Sequence, residues 1–358
     1  MRHPENNGGV PVQSSQHDED IGEGGERHEG EAADATQDGI SVEERILTSP
    51  LFGEPVIKTA PAREAYHAFR EILSEGICGF TVRGQPENGL AETLRVIRQY
   101  LNQDYPHLTV YEHVVSRCSS RTRAEVLSGF LNSVGHGILC GSNRDKMTRL
   151  LNMQEEKALA SGSPFSIWMI HNAESLNLET CKTLLDMRDL LASKGIRLLF
   201  IHGDHVEGFT RRILTLARRL NQTELSTLFG RAHALRSLCG LQEYTEVLME
   251  IDALIISQKS AVTWTEALLP QAYKEGFRLA SEAPALHTAI LSASPCGDFP
   301  HRALFDVIRR VMSMSAPHDS RDFNIPHGIW AQAASMVMRM DSSYLRCDSG
   351  SQVLAHEM

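Results

Sequence analysis

Short apolar runs alternate with amphipathic stretches over residues 62–220 of the chain. The runs at 165–170 and 196–201 contain almost no polar residues, which is typical of strands that are covered on both faces. The stretches between the runs place apolar residues three and four apart, which predicts amphipathic helices. Strands that alternate with helices predict βαβ units and hence a parallel sheet.

The pattern predicts four strands and then a change of character. The predicted strands are 76–82, 108–115, 165–170 and 196–201, and the predicted helices between and after them are 62–74, 90–101, 123–134, 146–160, 176–193 and 209–220. Beyond residue 220 only helices are predicted, at 242–257, 263–280, 301–314 and 329–340. This order indicates an α/β core that is followed by a helical lid.

The charge of the chain is concentrated at its N-terminus. Residues 1–44 contain 12 acidic residues and 2 arginines, which leaves 33 acidic and 33 basic residues for the rest of the chain. A segment this polar cannot bury enough apolar surface to offset its ordering entropy. We expect a disordered acidic tail at 1–44, an α/β core at 45–225, a helical lid domain at 226–345 and a frayed end at 346–358. The neutral body leaves room for basic patches.

The composition is that of an ordinary globular protein, with 42% apolar residues. No apolar run approaches the ~20 residues that a membrane span needs. The N-terminus lacks a basic start and an apolar block, and the seven cysteines are scattered. These features predict a cytoplasmic protein with reduced thiols and no membrane partner.

A glycine loop follows the first predicted strand. It consists of Gly84, Gln85, Pro86, Glu87, Asn88, Gly89, Leu90 and Ala91. The two glycines have the spacing of a phosphate-binding loop, Gly-x-x-x-x-Gly-Lys-Ser/Thr. Leu90 replaces the lysine that reaches the phosphates, and Ala91 replaces the hydroxyl that orders magnesium. Pro86 removes an N–H donor and Glu87 adds a negative charge. The alternative is a plain strand–helix turn, since two glycines five apart are common in turns.

The end of the third predicted strand lacks a second set of catalytic groups. ATPases of this architecture end that strand in Asp-Glu, where the aspartate holds hydrated magnesium and the glutamate activates water. Here His171 and Asn172 occupy those positions, and Asn172 cannot act as a general base. Glu174 follows two residues too late to replace it. Two separate elements of a nucleotide site are therefore missing together.

The region that runs from IWMIHNAESLN, through a long helix, to IRLLFIHGDHVE resembles the AAA+ ATPases of transposition, the TniB and TnsC family. That family has a strand ending Asp-Glu-Ala-His, then Leu-Asn, a long helix and a strand ending in Gly before Thr-Pro-Glu. The positions that match this layout are Ala173, Leu176, Asn177, Gly203 and Glu207. Phe229-Gly-Arg231 resembles, in inverted order, the Arg-Phe element that precedes the lid of the family.

The resemblance covers roughly residues 45–290 and implies a RecA-like AAA+ P-loop NTPase fold, an αβα sandwich with a small helical lid. It also implies assembly on DNA and contacts with a transposase and a TniQ-type protein. Because the nucleotide ligands are missing, we expect a non-hydrolysing regulator or structural subunit in which ATP/Mg binding is weak or lost. Its partners would be a transposase, a TniQ-like protein or an active AAA+ paralogue, in a homo- or hetero-oligomer. The alternative within the family is an atypical but active ATPase.

Two basic clusters are candidates for contact with the DNA backbone. The first consists of Arg117, Arg121 and Arg123, interleaved with serines and threonine, and the second contains Arg211 and Arg212 with Arg218 and Arg219. Arginine and serine are frequent phosphate contacts. No aromatic residues interleave, so we expect binding that is independent of sequence and sensitive to salt. A solvated helix face is the alternative for each cluster.

A metal site is the third functional alternative. His171 ends one predicted strand, and His202, Asp204 and His205 end another. If the two strands are neighbours, these side chains could converge at the carboxyl edge of the sheet, where three histidines with an open position would suit a catalytic zinc. This hypothesis predicts a metal-dependent hydrolase.

Overall fold

The computed structural model describes residue 44 and residues 56–116, 122–256, 261–294 and 299–349. The strands are β1 (Gly79–Gly84), β2 (Thr109–Val114), β3 (Phe165–His171), β4 (Arg197–His205) and β5 (Arg231–Ala234). The helices up to β5 are α1 (Ala60–Glu75), α2 (Leu90–Asp104), α3 (Arg123–Ser133), α4 (Asn143–Ser161), α5 (Leu178–Ala192), α6 (Val206–Leu216) and α7 (Gln222–Phe229). Those after β5 are α8 (Gly240–Asp252), α9 (Trp264–Leu268), α10 (Pro270–Lys274), α11 (Ala283–Ala293), α12 (His301–Ser315) and α13 (His327–Ser349).

The five strands form one parallel sheet in the order β2-β3-β4-β1-β5. The order places β1 at an inner position, with β4 on one side and β5 on the other. Val82 pairs with Gly203 and Arg83 with Asp204, so the loops after β1 and β4 leave the sheet side by side. The predicted α/β fold class is confirmed: a parallel sheet covered by helices on both faces and followed by a helical region is the AAA+ P-loop NTPase fold.

Strand alternation divides the core between the two faces of the sheet. On β3, Trp168 and Ile170 pack with α3, α4 and α5, whereas Ile167 and Met169 pack with α1 and α2. A third cluster holds the lid together and includes the fully buried Trp264 and Trp330. None of the helices in the described ranges is long and apolar enough to cross a membrane.

Two glycines allow the start of β1 to touch the turn that leads into β5. Gly230 has a φ of 53°, and a Cβ built on it would lie 1.7 Å from the carbonyl oxygen of Gly79. A Cβ on Gly79 would lie 2.4 Å from the carbonyl oxygen of Leu228. Because both close contacts are with backbone atoms, only glycine fits at either position.

The structure differs from the predicted elements mainly after residue 205. Helix α6 ends at Leu216, so Arg218 and Arg219 follow the helix in a turn. The sequence analysis missed α7 and the short polar strand β5, which extends the sheet beyond the predicted boundary at residue 225. The predicted helix at 263–280 is interrupted, because Pro270 starts a new helix and lacks the N–H that would continue the old one.

The predicted tail falls almost entirely outside the described residues, as do residues 350–358. Helix α13 continues to Ser349, which places residues 346–349 of the segment predicted to fray in a helix. The domain boundaries themselves stay predictions.

Candidate functional site

A cavity of about 540 Å³ lies at the carboxyl edge of the sheet, where ligands bind in parallel α/β folds. Four parts of the core surround it: the start of α1 with the segment before it (Ile57, Thr59 and Ala62), the glycine loop with the first turn of α2, the end of β3, and the end of β4. The remaining wall is one face of the lid helix α12, formed by His301, Arg302, Phe305, Asp306 and Arg309. The volume falls within the range of small-molecule sites, about 300–1,000 Å³.

The glycine loop has the backbone frame of a phosphate loop. Gly84 ends β1, and a turn follows in which the N–H of Asn88 donates to the carbonyl of Gln85 at 3.2 Å. Gly89 adopts a left-handed conformation (φ 71°) directly before α2 and carries no side chain to cap the helix. Gly89, Leu90 and Ala91 line the cavity, so the positive end of the α2 dipole faces the place of a bound anion.

The side chains around that frame do not favour a triphosphate. Leu90 and Ala91 offer neither a charge nor a metal ligand. The two arginines of the cavity come from the lid, and each forms an ion pair with a carboxylate. Arg302 Nη1 lies 3.6 Å from Glu87 Oε1, and Arg309 Nη1 lies 2.5 Å from Asp306 Oδ1. A polyphosphate would have to compete with these carboxylates for both arginines.

The end of β3 supplies uncharged groups to the cavity. His171 and Asn172 both line it. Burial lowers the pKa of His171, so the imidazole is neutral at neutral pH. Asn172 adopts a left-handed conformation (φ 56°), and its amide donates to the carbonyl of Val115 at 3.4 Å. Neither residue brings the carboxylate with which an ATPase holds magnesium and activates water, and the amide of Asn172 cannot act as a general base.

Glu174 does not replace the missing carboxylates, because it lies beside Asp204. Asp204 is fully buried, and its pKa is raised to about 8, first by burial and then by its hydrogen bond and charge interaction with Glu174. The carbonyl of Glu174 accepts a hydrogen bond from Arg212 Nε at 2.9 Å, and a Cβ on Gly208 would lie 2.9 Å from Glu174 Cβ. Asp204 therefore keeps its proton at neutral pH, on the α6 side of the sheet edge.

The structure does not bring together the four residues of the metal-site hypothesis. His171 and His205 line the cavity, but strand alternation turns His202 to the other face of β4. There His202 Nε2 donates to the carbonyl of Leu228 at 2.9 Å, and its ring packs on Phe229. Among the residues that the structure describes, no three His, Cys, Asp or Glu side chains are placed to hold a metal ion.

The basic residues proposed for DNA contact differ in whether the structure describes them and in whether they already contact other residues. Arg117 and Arg121 lie outside the described residues. Arg123 opens α3 and forms an ion pair with Asp186 of α5, while Arg212 is held by Glu174. Arg211 is exposed on α6. Two of the three described candidates therefore already make contacts within the protein.

The lid side of the cavity was missed by the sequence analysis. His301, Arg302, Phe305, Asp306 and Arg309 follow one another at helical spacing, and this pattern was available in the sequence. The pattern does not tell which loop the helix covers. That information depends on contacts between residues more than 200 positions apart, such as Glu87 and Arg302.

Comparison with known proteins gives only distant likenesses. No protein-family model matches the chain, and no curated protein matches it in sequence. Among solved structures, the ORC1 protein of Aeropyrum pernix in complex with DNA is 11% identical, with a TM-score of 0.49 over 82% of this chain and 69% of that one. Domain III of the replication initiation protein DnaA from Thermotoga maritima is 14% identical, with a TM-score of 0.41 over 82% of this chain and 96% of that one.

The Drosophila origin recognition complex bound to DNA also matches, at 11% identity and a TM-score of 0.46, over 87% of this chain and 70% of that one. At these scores the likenesses carry no functional argument. The assignment of the chain to the AAA+ class of P-loop folds rests on its own strand order, on the glycine loop between β1 and α2, and on the helical region after β5.

Proposed function

We propose that the protein is a non-hydrolysing member of the AAA+ class that acts as a regulator or structural subunit in a transposition system. One observation carries the first half of the proposal. The four positions where an ATPase places its lysine, its magnesium hydroxyl and its two acidic residues hold Leu90, Ala91, His171 and Asn172, and all four line one cavity. The cavity is formed, but its nucleotide chemistry is absent.

The charge of the cavity supports the same conclusion. Its ionised side chains are three carboxylates (Glu87, Glu92 and Asp306) and two arginines (Arg302 and Arg309). ATP brings about four further negative charges, and burial lowers the pKa of two lining histidines, His171 and His301, which disfavours a positive charge on either ring. Removal of one preorganised oxyanion-hole donor typically costs about 3 kcal/mol of transition-state stabilisation. By the same reasoning, the loss of the lysine together with both metal-handling positions should abolish measurable turnover.

The transposition half of the proposal rests on the resemblance of residues 167–207 to the TniB and TnsC layout. In this role the chain assembles with an active AAA+ paralogue, a transposase or a TniQ-like protein, and it contacts DNA through the backbone. The exposed Arg211 is the described candidate for such a contact. Arg211→Glu should weaken DNA binding and lower its dependence on salt; equal affinities across a salt series for both proteins would contradict this contact.

Titration with ATP and magnesium tests the loss of nucleotide chemistry. Calorimetry and phosphate release on the purified chain should show no saturable Mg-ATP binding at micromolar concentrations and no turnover. Leu90→Lys/Ala91→Thr is the matched gain-of-function control, because it restores the two side chains on an existing backbone frame. This variant should bind Mg-ATP at least about tenfold more tightly. Turnover by the unmodified chain would establish the alternative, an atypical but active ATPase.

A further inference from the structure

The glycine loop contacts the lid through two pairs of consecutive residues, Glu87 and Asn88 in the loop and His301 and Arg302 in the lid helix α12. The backbone N–H of Arg302 donates to the carbonyl of Glu87 at 3.1 Å, and the Arg302 guanidinium faces the Glu87 carboxylate at 3.6 Å. These contacts lie beside the first turn of α2, where the phosphates of a nucleotide would otherwise bridge the core and the lid.

His301 makes the central contact of this region. It is 4% exposed, and its Nε2 accepts a hydrogen bond from the backbone N–H of Leu238 at 2.9 Å. The ring also hydrogen-bonds to the backbone of Asn88. Because Nε2 is the acceptor, Nδ1 carries the proton and donates to the loop. One imidazole thus joins the glycine loop, the segment after β5 and the lid helix.

The loop is held in a conformation that it would not favour alone. Glu87 is not a glycine, yet its φ is 69°, a left-handed conformation that costs energy for a residue with a side chain. Asn88 is 6% exposed, and its amide donates to Ser237 Oγ at 3.4 Å. A Cβ on Gly89 would lie 3.3 Å from His301 Nδ1, so the ring packs directly against the loop.

We infer that Glu87, Asn88, Leu238, His301 and Arg302 form a latch that fixes the lid on the glycine loop in the place of a bound nucleotide. The lid contacts the loop through the carbonyl and the carboxylate of Glu87, three residues before the start of α2, where a phosphate chain would lie. The relative position of core and lid is consequently independent of ATP. The inference rests on the proposed function and adds a mechanism to it: the subunit keeps one arrangement of core and lid permanently, as a partner in an assembly requires.

Amide hydrogen exchange on the full chain tests the latch at its own bonds. The amides of Leu238 and Arg302, which donate to His301 and Glu87, should be protected without nucleotide. Addition of 1 mM Mg-ATP, about a thousand times the micromolar scale of a working site, should leave both protections unchanged within twofold.

Variants of His301 separate the latch from general stability. His301→Ala should speed exchange at Leu238 and in residues 85–89 by about tenfold, since it removes both bonds of the ring. His301→Gln keeps one donor and one acceptor and should restore part of the protection. Met314→Ala, on an exposed part of the same helix, is the matched control and should leave these amides unchanged. The amides of the core strand β3 exchange through global unfolding, so they report the loss of overall stability separately from the opening of the latch.

Two outcomes would overturn the latch. One is rapid exchange of Leu238 and Arg302 in the unmodified chain, and the other is a gain of protection of more than about tenfold on addition of Mg-ATP. Turnover of ATP with unchanged protection would instead refute the proposed function and leave the latch standing. Should His301→Ala fail to fold, the unmodified chain with and without Mg-ATP still decides the question.

Discussion

The latch and the carboxyl pair of Asp204 and Glu174 lie on opposite faces of the same sheet edge, and different interactions stabilise them. In the latch, His301 and the backbone groups around it form paired hydrogen bonds, and the charges of Glu87 and Arg302 face each other. On the α6 side, Asp204 and Glu174 place two carboxyl groups together, and the pKa of Asp204 is raised. The latch therefore depends on shape and bonding, whereas the carboxyl pair depends on the protonation of Asp204.

The same contrast determines how each group responds to pH. Burial lowers the pKa of His301 to about 4, below the ordinary value of 6.5. The unfolded chain therefore binds this proton more tightly, so the stability that His301 provides is complete above pH 6.5 and is lost as the pH falls toward 4. Asp204 behaves oppositely, because its pKa is raised to about 8. Its contribution is complete below about pH 4 and is lost as the pH rises toward 8.

The largest effect is expected from removing the buried ring of the latch. His301→Ala should lower the free energy of unfolding by about 3 kcal/mol at pH 7, because it leaves a cavity and two unpaired backbone groups. Urea denaturation followed by circular dichroism measures the change. A loss below about 1 kcal/mol would mean that the ring packs without hydrogen bonds, which would contradict the contrast between the hydrogen-bonded latch and the carboxyl pair.

The carboxyl pair should give the next largest effect, and one of opposite sign. Asp204→Asn should raise the free energy of unfolding at pH 8.5 by about 2 kcal/mol, because the amide needs no proton to remain neutral. The gain should disappear at pH 4. Thermal unfolding across this pH range checks the prediction: the stability of the unmodified chain relative to the variant should fall between pH 4 and pH 8. Parallel pH profiles for the two proteins would show that the pKa of Asp204 is not raised in the folded chain.

The smallest effect is expected from the exposed charge of the latch. The side chain of Arg302 is 70% exposed, and solvent screens its interaction with Glu87. Arg302→Ala should keep the free energy of unfolding within about 0.5 kcal/mol of the unmodified chain, since the backbone bond to Glu87 remains. A loss comparable to that of His301→Ala would assign the latch to the ion pair instead of the imidazole.

The sequence predicted the part of the fold that depends on local pattern. The apolar runs that became β3 and β4 were found because strands buried on both faces need continuous apolar residues. The sequence also identified Leu90, Ala91, His171 and Asn172 as positions of one nucleotide site, and they line one cavity because the parallel strands of a sheet bring their carboxyl ends to one edge.

The remainder could not be predicted because it depends on distant contacts. Strand β5 has only four residues, Arg231–Ala234, and its exposed sequence gives no buried pattern. His202 and His205 both lie near the end of β4. The alternation of side chains along the strand places His205 in the cavity and His202 on the opposite face of the sheet. The role of His301 requires knowledge of which helix covers the loop.

The contact between Gly79 and Gly230 also affects the position of the latch. The chain leaves this crossing through β5 and reaches Leu238, whose N–H bonds to His301, only eight residues after Gly230. An added methyl group on Gly230 would push the edge strand outward and carry the donor of Leu238 away from its imidazole acceptor. Two residues without side chains, at the end of the sheet opposite the cavity, thereby set the alignment on which the closure of the lid depends.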